Sequence, residues 1–154
     1  MHPVARQSNL LISVAEPVPL ASLEEKLLAQ VEASGKEYGL IFEEIQGGFT
    51  FTGRQRPNSW EVIPTLVYRL YPDGRKELVR GVDLIGTPLA ALERLVAGAD
   101  DLGVFNGFCG AESGYVPVSA ASPSLLLSNI EVQKKPKDQE TPPLLPAPKE
   151  GGVL

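Results

Sequence analysis

The sequence predicts an α+β fold that is dominated by an antiparallel sheet, either open or barrel-like, with two short helices packed against it and a disordered C-terminal tail. Three observations predict it. Apolar segments of strand length alternate with turn residues, 14 prolines and 15 glycines divide the 154 residues, and two segments have the apolar spacing of a helix. Apolar residues make up 43% and charged residues 21%, which is the balance of a globular domain with a real core.

The N-terminal region predicts a strand followed by a helix. Apolar residues alternate over Asn9–Ala15, as in a strand with one buried face. Ser22 and Glu25 have the spacing of a capping box, and the apolar spacing that follows continues until Gly35. We therefore expect a helix that begins at Ser22 and ends at Gly35.

The middle of the chain predicts three strands. Glu37–Ile45 suits a packed strand, which Gly47-Gly48 closes by a tight turn or a close backbone approach. Leu66–Tyr71 and Lys76–Ile85 are expected to form a hairpin through Pro72-Asp73-Gly74, since this tripeptide supplies a preset φ, a side-chain hydrogen bond and a residue that tolerates positive φ.

A second helix is predicted after the hairpin. Thr87 followed by Pro88 has the order of an N-cap residue and a first helical residue. We expect Gly98 to end this helix after an apolar stripe of Leu89, Leu92, Leu95 and Val96.

The C-terminal third predicts two strands and a tail. Leu102–Phe108 is expected to be a strand that leads to Cys109, and Ser124–Gln133 the last strand of the fold. The proline-rich segment that follows has no periodicity. The predicted organisation is therefore one domain over residues 1–133 and a flexible tail over residues 134–154.

Composition and charge exclude several classes of partner. The net charge of −5 opposes binding to phosphate backbones, so we expect no nucleic acid. No segment approaches the roughly 18 apolar residues of a membrane span, and Met1–Leu20 has neither the basic start nor the apolar block of a signal peptide. A single cysteine suits a reducing compartment. These features predict a cytoplasmic protein that does not enter a membrane.

The best candidates for a chemical role lie in Gly103–Gln133. The first of them is Cys109, which stands between Gly107 and Gly110. Taken alone, Cys109 is either a metal ligand or a small buried thiol. His2 is a weaker candidate to activate it as a nucleophile, and Glu112 is either an outer carboxylate of a metal site or an exposed loop residue.

The order and spacing of several segments resemble the carboxy-terminal domain of the TldD/PmbA metallopeptidases, historically called modulators of DNA gyrase. The resemblance covers roughly Arg6 to Val132. It rests on the Gly47-Gly48 pair, the hairpin Val67–Ile85 that ends in LVRGVDLIGTP, the exit GADDL at Gly98–Leu102 and the closing FCGAESGYVPVSAASPSLLLSNIEV.

The resemblance implies a zinc protease that hydrolyses extended, unfolded peptides. In that family, two histidines of a His-Glu-x-x-x-His helix and a cysteine in a glycine-flanked loop hold the zinc, and Cys109 matches that cysteine. The sequence contains no His-Glu pair, so this chain lacks the metal-binding helix. We therefore expect zinc in the full-length family protein, no stable zinc on this chain alone, and no catalytic residue within it.

The remaining expectations concern substrate and partners. Gly47, Gly48 and Gly110 are candidates for close approach of a substrate backbone, with a purely conformational role as the alternative. The expected partners are an extended peptide and a second subunit, in a homodimer or a heterodimer with a family paralogue. The alternative function is a non-catalytic dimerisation or peptide-binding partner module of such a protease. A third hypothesis is a thiol-dependent activity of Cys109.

Overall fold

The computed structural model describes residues 6, 8–51, 58–111 and 113–135. In chain order, the elements are β1 (Asn9–Leu11), α1 (Leu20–Ala33), β2 (Gly39–Phe51), β3 (Ser59–Leu70), β4 (Lys76–Val79), β5 (Val82–Gly86), α2 (Pro88–Glu93), β6 (Leu95–Gly98), β7 (Gly103–Ala111), β8 (Gly114–Ser122), β9 (Leu125–Leu127) and β10 (Glu131–Lys134).

The strands form three sheets, and the predicted β-dominated class with two helices is confirmed. The Cys109 sheet has the order β1-β8-β7, the large sheet has the order β10-β5-β3-β2 with β4 also on β3, and the small sheet pairs β6 with β9. Pairing is antiparallel except between β1 and β8. Within the described residues the sheets do not close into a barrel.

Helix α1 begins earlier than its predicted capping box. Pro19 stands at its N-terminus with φ −55°, and no side chain caps the helix. The Pro19 carbonyl accepts a hydrogen bond from the N–H of Ser22, so the first turn closes on Pro19, the helix starts at Leu20 and Ser22 lies inside the first turn. The predicted end is confirmed by Gly35, which adopts φ 63°.

The Gly47-Gly48 pair does not close a strand, and the predicted tight turn is wrong. Strand β2 continues through both glycines, which pair with Ile63 and Val62 of β3. The register shifts just before them, between Ile45 and Gly47. The alternative prediction, a close backbone approach, holds at Gly48, where a Cβ would lie 3.2 Å from the Cα of Val62.

The predicted hairpin is confirmed, but its second arm is interrupted. Asp73 accepts a hydrogen bond from the backbone N–H of Arg75, and Gly74 has φ 82°. Gly81 then adopts φ 72° and divides the arm into β4 and β5, which pair with opposite ends of β3. The sequence also predicts an exposed loop over Gly53–Ser59, of which residues 53–57 lie outside the described part of the chain.

Helix α2 is shorter than predicted, and its apolar stripe is not buried. The Thr87 side chain accepts a hydrogen bond from the N–H of Ala90, so the predicted N-cap is confirmed. The helix ends at Glu93 because the carbonyl of Arg94 turns away to accept from the N–H of Ser128. The predicted helical residues Leu95–Gly98 are strand β6 instead, and Leu89 and Leu92 are exposed.

The buried core joins α1 to the small sheet. Leu23 of α1, Ala99 after β6 and Leu126 of β9 are buried together. The partly buried side chains of Val18, Leu27 and Ala97 surround them. The predicted final strand Ser124–Gln133 is two strands, β9 and β10, and the second extends to Lys134. The rest of the predicted tail, residues 136–154, lies outside the described part of the chain.

Candidate peptide-binding edge around Cys109

Cys109 lies in a strand and not in the loop that the family resemblance implies. It belongs to β7, where it pairs with Val116 of β8. The predicted strand Leu102–Phe108 therefore extends three residues further, through Gly110 to Ala111. The Cys109 thiol is free and exposed to solvent, so the buried-thiol interpretation is wrong.

Two aromatic rings cover the glycines beside the thiol. The ring of Phe105 lies over Gly107, and the ring of Tyr115 lies over Gly110, its partner across the hairpin. A Cβ on Gly110 would come within 2.8 Å of the Tyr115 ring. The Tyr115 ring occupies the space that a side chain at position 110 would need, so Gly110 admits an aromatic ring on this face of the strand. Its contact with a substrate backbone stays a prediction.

Residue pairing assigns the side chains of β7 to two faces. Paired residues of an antiparallel ladder project to the same face, and successive residues alternate. Cys109 therefore lies on the same face as Phe105. Phe108 lies on the other face, together with Tyr115 of the neighbouring strand β8. Phe108 is 74% exposed and Tyr115 is 83% exposed. These two rings alone leave about 300 Å² of aromatic surface open to solvent.

Strand β7 is also an edge strand. In the described residues it pairs with β8 on one side and with no strand on the other. Natural proteins usually protect such edges with charges, prolines or very short strands. Strand β7 has nine residues, none of them charged or proline. It therefore presents an open row of backbone N–H and C=O groups to which an extended chain can add.

Arg6 binds the β7–β8 hairpin near its turn. One guanidinium nitrogen, Nη1, donates to the Ser113 hydroxyl at 2.7 Å and to the Gly114 carbonyl at 3.1 Å. The other nitrogen, Nη2, donates to the Cys109 carbonyl at 2.6 Å and lies 3.1 Å from the Cys109 sulfur. The contact joins residues 103 positions apart, and no local pattern in the sequence predicted it.

Asp101 fixes the chain just before β7 begins. Its carboxylate accepts two hydrogen bonds from Ser124, from the backbone N–H at 2.8 Å and from the hydroxyl at 2.7 Å. The Ser124 carbonyl in turn accepts from the N–H of Ala99. The side-chain bond to Ser124 is the main reason that the pKa of Asp101 lies below its ordinary value.

We expect Asp101→Asn to lower the free energy of unfolding by about 1 kcal/mol at pH 7, since it weakens two charge-assisted hydrogen bonds. A carboxyl group whose pKa is lower in the folded state stabilises the fold above its unfolded pKa of about 3.9. This stabilisation is lost as the pH falls through the folded pKa. Urea denaturation should therefore show a difference between variant and wild type that shrinks below about pH 4.

Asp100→Asn is the matched control, because Asp100 is exposed and its side chain makes no hydrogen bond among the described residues. It should change stability by less than about 0.5 kcal/mol. A deficit of Asp101→Asn that stayed the same at pH 7 and pH 3 would contradict this role of the Asp101 carboxylate.

The described residues around Cys109 do not fit a zinc site. A hydrolytic zinc ion needs about three protein ligands from Cys, His, Asp or Glu, and within the described ranges no three such residues form a group. The charged group that contacts the sulfur is the Arg6 guanidinium, a cation. His2 and Glu112, the other residues considered for this site, lie outside the described residues.

The predicted substrate-contacting glycines are not brought together. Gly47 and Gly48 lie in β2 of the large sheet, whereas Gly110 and Cys109 lie in β7 of the Cys109 sheet. The described strand pairs do not connect the two sheets. Gly47 and Gly48 therefore lie outside the candidate site. The close approach of the β3 backbone accounts for the glycine at position 48.

None of the helices that the structure describes has the length and apolar character needed to cross a membrane. Comparison of the chain with protein-family models gives no match. Comparison with curated proteins likewise gives no match.

Proposed function

We propose that this chain is the carboxy-terminal domain of a TldD/PmbA-like zinc metallopeptidase that acts on extended or unfolded peptides. In this proposal, β7 supplies an edge to which a substrate strand adds, and Cys109 supplies one metal ligand of the complete protein. The chain alone lacks the His-Glu-x-x-x-His helix and is inactive. The metal's other ligands and the catalytic carboxylate come from outside this polypeptide.

The observation that carries the proposal is the position of Cys109 on an exposed, charge-free edge strand. A peptide that adds to a sheet edge is held by its backbone, so it must be extended, and its sequence matters little. Those are the requirements for a protease of unfolded chains. Two apolar side chains flank the thiol along the strand, Phe105 on its own face and Phe108 on the other, and both favour apolar peptide side chains.

The test is an assay of the complete reading frame that contains this chain. The proposal predicts a segment upstream of Met1 that encodes a His-Glu-x-x-x-His helix. It also predicts that the complete protein hydrolyses a labelled unstructured peptide, that a chelator stops the reaction, that zinc restores it, and that Cys109→Ala abolishes it. Hydrolysis that persisted in Cys109→Ala or in chelator would contradict the proposal.

One observation favours the second candidate, a non-catalytic dimerisation or peptide-binding partner module. The Cys109 sheet exposes large apolar side chains on both faces, and apolar patches of several hundred square ångströms often mark interfaces. Under this alternative, size-exclusion chromatography shows stable association with a second copy or a paralogous subunit. The labelled peptide is then bound but not hydrolysed, and chelator-sensitive turnover would rule the alternative out.

The proposal assigns the protein to the cytoplasm. This assignment rests on the single cysteine, which suits a reducing compartment. The acidic composition in turn suits a protein partner better than a nucleic acid.

A further inference from the structure

We infer that Arg6 is the cationic partner of Cys109 in this chain, so that a metal ion can reach the sulfur only after the Arg6 side chain has been displaced. The part that concerns the metal rests on the proposed function. The contact between Arg6 and Cys109 does not rest on the proposed function, because the hydrogen bonds at the turn of the hairpin establish it.

Three hydrogen bonds to oxygen atoms hold the Arg6 guanidinium on the hairpin. Arg6 donates to three oxygen acceptors, on Cys109, Ser113 and Gly114, at 2.6 to 3.1 Å. Both terminal nitrogens are therefore engaged on the hairpin, and a planar guanidinium held in this way has a defined orientation. The Nη2–sulfur distance of 3.1 Å is a consequence of that orientation.

The Arg6 guanidinium lies close to the position that a metal ion on the sulfur would take. A zinc ion bound to a thiolate lies about 2.3 Å from the sulfur, and Arg6 Nη2 lies 3.1 Å from the same atom. The ion would therefore lie at most about 5.4 Å from a full positive charge. Coulomb repulsion at that distance weakens the binding of a divalent cation about tenfold at low ionic strength, even with the dielectric constant of water.

No acidic group among the described residues offsets the charge of Arg6 at the sulfur. Among the described residues, the carboxylates that form ion pairs are Glu24, Asp73, Glu77 and Asp83. Their basic partners lie in the large sheet, in the turn between β3 and β4 or directly after β10. In the described part of the chain, no acidic side chain contacts Arg6 or Cys109. The charge that the described residues place beside the sulfur is therefore positive, and a positive charge repels cations and attracts anions.

The test compares two thiol reagents of opposite charge, a cationic and an anionic methanethiosulfonate. Each forms a disulfide when the Cys109 thiolate attacks its sulfenyl sulfur and methanesulfinate leaves, so both rates depend equally on the fraction of thiolate. The ratio of the two rates then reports the local charge alone. The same ratio measured with 2-mercaptoethanol corrects for the intrinsic reactivity of the two reagents. We expect the anionic-to-cationic rate ratio of the wild-type chain to be higher than that of 2-mercaptoethanol.

Three variants make the test sharp. Arg6→Ala should lower the anionic-to-cationic ratio about tenfold at low ionic strength, and Arg6→Glu should invert the preference. Arg80→Ala removes the same net charge from an exposed residue between β4 and β5, and it should leave the ratio unchanged. Circular dichroism of each variant establishes that it is folded.

An equal ratio in wild type and Arg6→Ala would overturn the inference. This failure is distinct from failure of the proposed function, because the reagents need neither metal nor hydrolysis. If the ratio falls in Arg6→Ala while the complete protein hydrolyses no peptide, the Arg6 contact stands and the peptidase proposal falls. If the ratio is equal and the complete protein is a chelator-sensitive peptidase, the peptidase proposal stands and the Arg6 contact falls.

Discussion

Gly48→Ala is expected to destabilise the protein by about 3 kcal/mol. A Cβ at this position would overlap the carbonyl oxygen of Glu61 and would lie 3.2 Å from the Cα of Val62. Both are backbone atoms of β3, so neither can rotate away as a side chain would. Relief requires the longest strand pair of the large sheet to separate, which breaks its hydrogen bonds.

Gly47→Ala is the matched control for this prediction. A Cβ at Gly47 meets no atom within 4 Å, and Gly47 does not have a positive φ. We expect its free energy of unfolding in urea to change by less than about 0.5 kcal/mol. If Gly47→Ala were as destabilising as Gly48→Ala, the close approach of β2 and β3 would not be the reason for a glycine at position 48.

The pair of variants also separates structure from function. If Gly47 serves substrate binding, Gly47→Ala should weaken peptide binding in a protein of unchanged stability. We expect no such effect, because β2 and the Cys109 edge belong to different sheets. A loss of peptide binding without a loss of stability would restore the sequence-based assignment of Gly47 to the substrate site.

Leu126→Ala is the second large effect that we expect, also about 3 kcal/mol. Leu126 is buried in the centre of β9, where it packs with Leu23 of α1 and with Ala99. Few apolar side chains are buried among the described residues, so the cavity removes a large part of a small core. The loss should loosen α1 and the small sheet together, and thermal unfolding should report it as a lower midpoint.

Leu102→Ala provides the comparison, because the Leu102 side chain is exposed. It should shift the unfolding free energy by less than about 0.5 kcal/mol. Equal losses in the two variants would mean that Leu126 is not the centre of the cluster that joins α1 to the small sheet.

Local chemistry in the sequence predicted the turns and caps that the structure contains. The tripeptide Pro72-Asp73-Gly74 and the N-cap Thr87 act through bonds to neighbouring residues, so their effect is visible without the rest of the fold. The apolar spacing after Pro88 was misleading for the opposite reason. The pairing of Leu95–Gly98 with β9, some 30 residues later, overrides the helical pattern.

The candidate site was predictable in part. The resemblance singled out Cys109, but it implied a loop, whereas the pairing of β7 with β8 makes a strand of that segment. Arg6 could not be predicted as a contact of Cys109, because a single arginine ahead of the first strand has no local feature that distinguishes it from other arginines. Asp101 was part of a recognised segment, and its bonds to Ser124 required the fold to bring the two together.

The central claim is that β7 offers an open edge, next to Cys109, to an extended peptide. Hydrogen exchange of the backbone amides tests it most directly, since an added strand slows exchange where it forms hydrogen bonds. With a saturating unstructured peptide, we predict slower exchange within Gly103–Ala111 and unchanged exchange in Leu20–Ala33. Unchanged exchange in Gly103–Ala111, or protection confined to the large sheet, would contradict the claim.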